Sequence, residues 1–395
     1  MAQTETAQAW QPIAYRSRVL DAGRAVGVLL VAFVHWSEQV LGRAYAGNPN
    51  EVWPDLHTRI SQWALRSGSP GEVASAVVER CAWSLNQAVG WFFITTVVVL
   101  GLGVHARNLD LGDRATRRQW WLRRYAAVYP SWGLAHLIML AAVAVTGGGV
   151  LLLKAKWWLS ILGLRAVPQL LYYLVPAWWY FTLLIQLYLV FPLVKSWVAD
   201  RSPKQILAVG LPVALAVRTA GFLVLPPIWW DDWARGGLIL SRLGELVVGL
   251  AIVAHLRHSR QSPDAAFKRL ASRPVMWVLS PVLLFAGIAA GFTLFGNVIS
   301  PLLVVAGLSM PAGMLALRLA PALGWLQRRT LGFYLMHQIP FLLLLGPATV
   351  IDPGVAAKTA LALALGCLLT EIAFRIGAPA TGWLLRRGAG ARAVP

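Results

Sequence analysis

Cysteine is almost missing from this chain. Only Cys81 and Cys367 occur in 395 residues, one near the start of an apolar run and one in the middle of another, so neither a disulfide framework nor a thiolate metal site can be assembled. Charge is scarce as well. Asp, Glu, Lys and Arg make up 13% of the residues, against roughly 25% in an ordinary soluble domain. Together with a hydrophobic share of 58%, that scarcity excludes a soluble globule. Acidic residues are the scarcest charges, 16 against 35 basic ones, which leaves a net charge of +19. Such an excess can signal nucleic-acid binding, but the basic side chains lie in short stretches between apolar runs. There is no contiguous basic domain and no aromatic-basic sheet motif, so no nucleic-acid partner is expected. No repeat of fixed period and no low-complexity tract interrupts the chain.

What the sequence has in abundance is apolar runs of membrane-crossing length, about 20 residues each. Ten are expected, over 19–41, 86–106, 126–147, 177–198, 205–225, 236–256, 275–295, 297–317, 325–347 and 356–377. The fold class is therefore all-α, a polytopic membrane protein with one membrane domain over 19–385. Lys and Arg favour cytoplasmic loops. With both termini inside, 22 basic residues fall on the cytoplasmic side and nine outside, which makes 1–18 a cytoplasmic segment and 386–395 a cytoplasmic tail. A bacterial plasma membrane is the expected location. The apolar stretch 157–175 carries Arg165 and Pro168 and is bounded by Lys156. If it crossed, every later loop would change sides and the charge asymmetry would reverse, so it reads as an interfacial or re-entrant segment. Region 42–85 is the one long extracytoplasmic loop and a candidate lid over that face of the protein. Ala44-Tyr45-Ala46 imitates a signal-peptide cleavage site, but His35 and Glu38 interrupt the stretch before it.

Ionisable residues inside spans are costly and mark functional candidates. Here they are Arg24, His35 and Glu38 in the first span, then His136, Arg218, Arg242, Glu245, His337, Glu371 and Arg375. Arg24 and His35 are eleven residues apart, which places them within about 20° of one helix face and roughly 16 Å apart along the axis. An arginine near one surface suits an anionic group, and a histidine deeper in the membrane suits proton abstraction from a hydroxyl. Arg24 could equally pair with Asp21 at i,i+3, and His35 could bond a neighbouring helix. Glu38, one turn beyond His35, either orients the imidazole or lies at the surface. Arg242 with Glu245, and Glu371 with Arg375, have the spacing of self-neutralising pairs. The cluster Trp178-Trp179-Tyr180 fits an interfacial aromatic belt.

Several segments taken together resemble the acyltransferase-3 family of membrane acyltransferases, in particular members without the soluble esterase-like domain fused to some. Residues 18–35 resemble its first-helix signature, in which Arg or Lys is separated from a histidine by ten intervening residues, as Arg24 is from His35. Trp91-Phe92-Phe93, Arg123-Arg124-Tyr125-Ala126-Ala127-Val128-Tyr129-Pro130, Trp178-Trp179-Tyr180-Phe181, Arg242–Gly249 and Thr330–Pro340 resemble later segments. The resemblance implies transfer of an acyl group, acetyl or another short acyl, from acyl-CoA on the cytoplasmic side to a hydroxyl of a glycan, an envelope component or a secreted metabolite. It implies His35 as the catalytic residue with Glu38 beside it, Arg24, Arg123 and Arg124 at the donor, and Trp178, Tyr180, Arg242, Glu245 and His337 at the substrate. Acyl-CoA is a cosubstrate, and no permanently bound cofactor or metal is expected. Ile94-Thr95-Thr96 stands where the family often has Ser-Gly, Ala127 where a second spaced arginine is common, and Phe333 where serine is usual. The competing reading is a secondary transporter or flippase for an anionic substrate, with Arg24 and His35 as its binding or proton-relay groups.

Overall fold

A computed structural model describes residues 17–41, 70–145, 154–291, 293, 295–348 and 350–390. Among them the regular structure is helical, without a strand, as a chain that must satisfy its backbone in lipid requires. The elements are α1 (Arg18–Val40), α2 (Pro70–Leu85), α3 (Val89–Ala106), α4 (Arg114–Val145), α5 (Ala155–Ile161), α6 (Pro168–Leu171), α7 (Trp179–Val198), α8 (Pro203–Val224), α9 (Trp230–Arg235), α10 (Leu243–Ser259), α11 (Pro263–Ala271), α12 (Pro274–Gly291), α13 (Ser300–Leu319), α14 (Gly324–Met336), α15 (Gln338–Leu344) and α16 (Pro353–Gly390). Nine stretches among the described residues are long and apolar enough to cross a membrane. They coincide with nine of the ten expected segments, so the chain is an all-α polytopic membrane protein.

The tenth segment, 325–347, is α14 followed by α15. Pro340 has no amide hydrogen to return to Met336, which interrupts the ladder, yet the joint at His337 keeps helical torsions of φ −58 and ψ −37. Helix α4 begins twelve residues before the expected 126, because its arginine-rich first turns carry helix-forming residues that an apolar-run reading passes over. Of the expected loop 42–85, residues 42–69 lie outside the described residues, and 70–85 form α2 against α1. The stretch 157–175 contains only α5 and α6, of seven and four residues, too short to cross. Helices α4 and α7 run antiparallel, with Trp132 stacked on Phe181 and Trp120 on Phe191. The segment therefore leaves and re-enters at one end of the bundle, as the charge asymmetry implied. It is stapled to the middle of α4: Tyr129 and Trp132 donate to the carbonyls of Leu162 and Ile161, and His136 meets Ser160 Oγ at 2.9 Å.

Two features set α1, on which the site depends. Its exposed first amides are satisfied by the Ser17 cap and by Asp264 of α11, which accepts from Ser17 Oγ at 2.5 Å, Val19 N at 2.9 Å and Arg18 N at 3.2 Å. Its middle packs closely on α3, where Gly23 and Gly27 face Trp91 and Phe92 and the Trp91 indole donates to Gly23 O at 3.1 Å. Small residues at such contacts let membrane helices approach. At the end of the bundle where α1 begins, the α3–α4 and α7–α8 turns and α11 bring many arginines together. This is called the basic end below. At the far end, Ala348 N bonds Val40 O and Gln87 reaches Ala234 O.

Candidate active site

His35 lies in the last third of α1, where i,i+3 spacing sets Glu38 on the same face. The Nδ1–H donates to Glu38 Oε2 at 2.7 Å, and the two side chains are 9% and 7% exposed. A carboxylate only accepts, so Nδ1 holds the proton and Nε2 keeps a lone pair for use as a base. Glu38 Oε1 lies 3.7 Å from the Arg235 guanidinium, at the end of α9. The His337 ring stands 5.8 Å from that of His35, centroid to centroid. Its Nδ1–H donates to Phe333 O at 3.0 Å, which leaves Nε2 bare, buried and without a protein partner.

His35, Glu38 and Arg235 line a cavity of about 40 Å³ together with Phe92, Trp179, Tyr180 and Tyr334. A buried water needs roughly 10–15 Å³ on this measure, so the space has room for a small group. Tyr180 forms part of its wall. Its backbone amide donates to Tyr334 Oη at 3.0 Å, and its hydroxyl lies 3.4 Å from Thr96 Oγ1. Both threonines at the family's Ser-Gly position turn their hydroxyls back onto their own helix: Thr95 bonds Phe92 O at 2.9 Å and Thr96 bonds Phe92 O at 2.8 Å.

Nearer the basic end, Arg24 pairs with Asp21 at 2.7 Å, both side chains being about one-third exposed or less, at 27% and 30%. The i,i+3 pairing that the spacing allowed is therefore made. Arg124 of α4 lies with its guanidinium 5.5 Å above the Trp120 ring. Arg24 and Arg124, two of the three expected donor arginines, each keep a buried Nε that finds no acceptor. Arg123 is exposed beside Arg124, and Ala127 is exposed on the same helix.

Of the remaining sequence candidates, Tyr180 and His337 belong to the His35 neighbourhood and three others lie apart. Trp178 is fully buried and donates to Leu335 O at 2.8 Å, beside His136 and Arg165. Arg242 and Glu245 are paired at 2.5 Å in the interior, and Arg242 also donates to Arg235 O. They do not line the cavity. Glu371 meets Arg375 at 2.9 Å as expected, and is shared with Arg329 at 2.6 Å. Among the described residues no group of three His, Cys, Asp or Glu is arranged to hold a metal ion. Arg235 carries no signal in the sequence because it ends a short helix between two spans, and only the fold returns it to Glu38, about two hundred residues earlier. Tyr334 lies in a family-like segment, where only the fold sets it on the cavity wall.

A family model described as an acyltransferase domain matches residues 18–371, nearly the whole chain. Comparison with curated proteins and with solved structures gave no match.

Proposed function

The chain belongs to the acyltransferase-3 family, which makes it a membrane acyltransferase acting on acceptors other than amino-acyl ones, and from that premise we propose that it moves an acetyl or similarly short acyl group from acyl-CoA on the cytoplasmic side to a hydroxyl of a glycan, an envelope component or a secreted metabolite. The plasma membrane of a bacterium is its proposed location. The observation that carries this reading is the buried His35–Glu38 pair at 2.7 Å on the wall of a small cavity. Arg24 and Arg124, with Arg123 at the surface, offer an anionic donor charge and planar hydrogen bonding at the basic end. The thioester then reaches along the roughly 16 Å of α1 that separates Arg24 from His35.

In the proposed step, the acceptor hydroxyl gives its proton to His35 Nε2 as its oxygen bonds to the acyl carbonyl carbon. The carbon–sulfur bond breaks, and the proton passes from His35 to the departing thiolate. Glu38 holds Nδ1–H and stabilises the imidazolium that forms between the two transfers. The closed, mostly apolar surroundings shield the thioester from hydrolysis. Tyr180, on the cavity wall, is the proposed substrate contact.

The test is transfer of labelled acetyl from acetyl-CoA into membrane material by vesicles carrying the full chain. His35→Ala is expected to abolish it while the protein folds and inserts normally. A well-folded His35→Ala protein that still transfers acetyl would end this reading.

A further inference from the structure

Three charged side chains are buried in the far half of the bundle without lining the His35 cavity, and all work on one short segment. Arg218 of α8 donates to Ala234 O at 2.7 Å, to Asn297 O at 3.0 Å and to Ser241 O. Arg242, paired with Glu245, donates to Arg235 O. Two glutamines complete the brace: Gln87 donates to Ala234 O at 3.3 Å, and Gln186 accepts from Ile239 N at 2.9 Å. Gly236 closes α9 at φ +81, and a β-carbon there would overlap the Arg242 guanidinium. Charge buried at membrane depth is costly and is retained where it does something. Here it fixes the backbone between 234 and 241, and the side chain that this segment delivers is Arg235, to the wall of the cavity and 3.7 Å from Glu38 Oε1.

We propose that Arg235 is a positioning residue of the transfer reaction. Held by the Arg218–Arg242–Glu245 brace, it steadies the Glu38 carboxylate through Oε1, so that Oε2 stays on the Nδ1–H of His35 and Nε2 faces the acceptor. The groups around His35 are Glu38 on α1, Tyr180 on α7, Tyr334 on α14, His337 at the α14–α15 joint, and Arg235. Among the described residues lining the cavity, Arg235 carries the guanidinium, and a buried carboxylate needs such a counter-charge to keep its place. The proposal rests on His35 being the base.

The test compares full-length wild-type protein, Arg235→Gln, Glu38→Gln, the double variant and Arg235→Lys in membrane vesicles, with acetyl-CoA as the probe and labelled acetyl incorporation as the readout. Arg235→Gln is expected to lower kcat about tenfold with the KM for acetyl-CoA unchanged, since the residue acts far from the donor arginines. The double variant should be no slower than Glu38→Gln alone, because residues acting through one another are not additive. Arg235→Lys, which keeps the charge, should recover at least about threefold over Arg235→Gln. Wild-type rates in Arg235→Gln, a double variant slowed by the product of the two single effects, or no recovery in Arg235→Lys would each overturn the proposal. Persistent transfer by His35→Ala would overturn the base reading beneath it, which keeps the two failures distinguishable.

Discussion

The two ends of α1 hold hydrogen-bonded pairs at the same i,i+3 spacing and treat them differently. At the basic end, Arg24 and Asp21 are 27% and 30% exposed, and Arg24 and Arg124 each keep a buried Nε without an acceptor. At the far end, His35 and Glu38 are almost closed off, Glu38 is approached by Arg235, and the loop that carries Arg235 is bonded at several carbonyls. A partly exposed arginine suits a ligand that arrives and leaves. A fixed and desolvated pair suits chemistry, where preorganisation rather than strength of binding lowers the barrier. On the proposed reading, one helix separates holding the donor from reacting with it.

The largest effect should come from removing the fixed end. His35→Ala is expected to lower acetyl incorporation by at least ~10²-fold, the low end of what a positioned base contributes, with an unchanged melting temperature. Glu38→Gln keeps the side-chain shape and loses the charge. It should lower kcat by roughly tenfold or more at an unchanged donor KM, as loss of an interaction made in the transition state does. Removing the open end should act on the other constant. Arg24→Ala or Arg124→Ala is expected to raise the KM for acetyl-CoA roughly tenfold, about the worth of one charge-assisted contact, and to flatten its dependence on salt. The smallest effect is expected at the threonine that replaces the family's Ser-Gly. Thr96→Val should change kcat by less than about threefold, because the lost hydroxyl bonds its own helix and lies only at the limit of contact with Tyr180. A large loss there would move part of the chemistry from His35 towards Tyr180 and blur the division between the ends.

Nine spans were legible because hydropathy alone specifies them, and the charge asymmetry kept 157–175 from being taken as an eleventh. The tenth segment was located, but its interruption was not, since a helical joint at His337 depends on how α14 and α15 meet the rest of the bundle. The Arg24–His35 register was readable for a similar reason, being a property of one helix. The tautomer of His35 was nearly readable as well, because its partner lies one turn away. Arg235 was not. Its role depends on Gly236 ending α9 and on Arg218 and Arg242 gathering carbonyls from 234 to 241, contacts between residues distant in sequence. Arg242 and Glu245 were correctly seen as a self-neutralising pair, and their placement among substrate contacts came from the resemblance rather than from their spacing. Inside the fold they brace the loop behind the cavity.

The division along α1 is tested most directly by measuring donor affinity and turnover on the same purified preparations of His35→Ala and Arg24→Ala in bilayer discs, with acetyl-CoA as ligand. His35→Ala should bind acetyl-CoA as tightly as the wild type and turn over at least ~10²-fold more slowly, whereas Arg24→Ala should bind weakly and approach the wild-type rate at saturating donor. Equal loss of binding in both variants, or full turnover by His35→Ala, would contradict the separation of donor holding from catalysis.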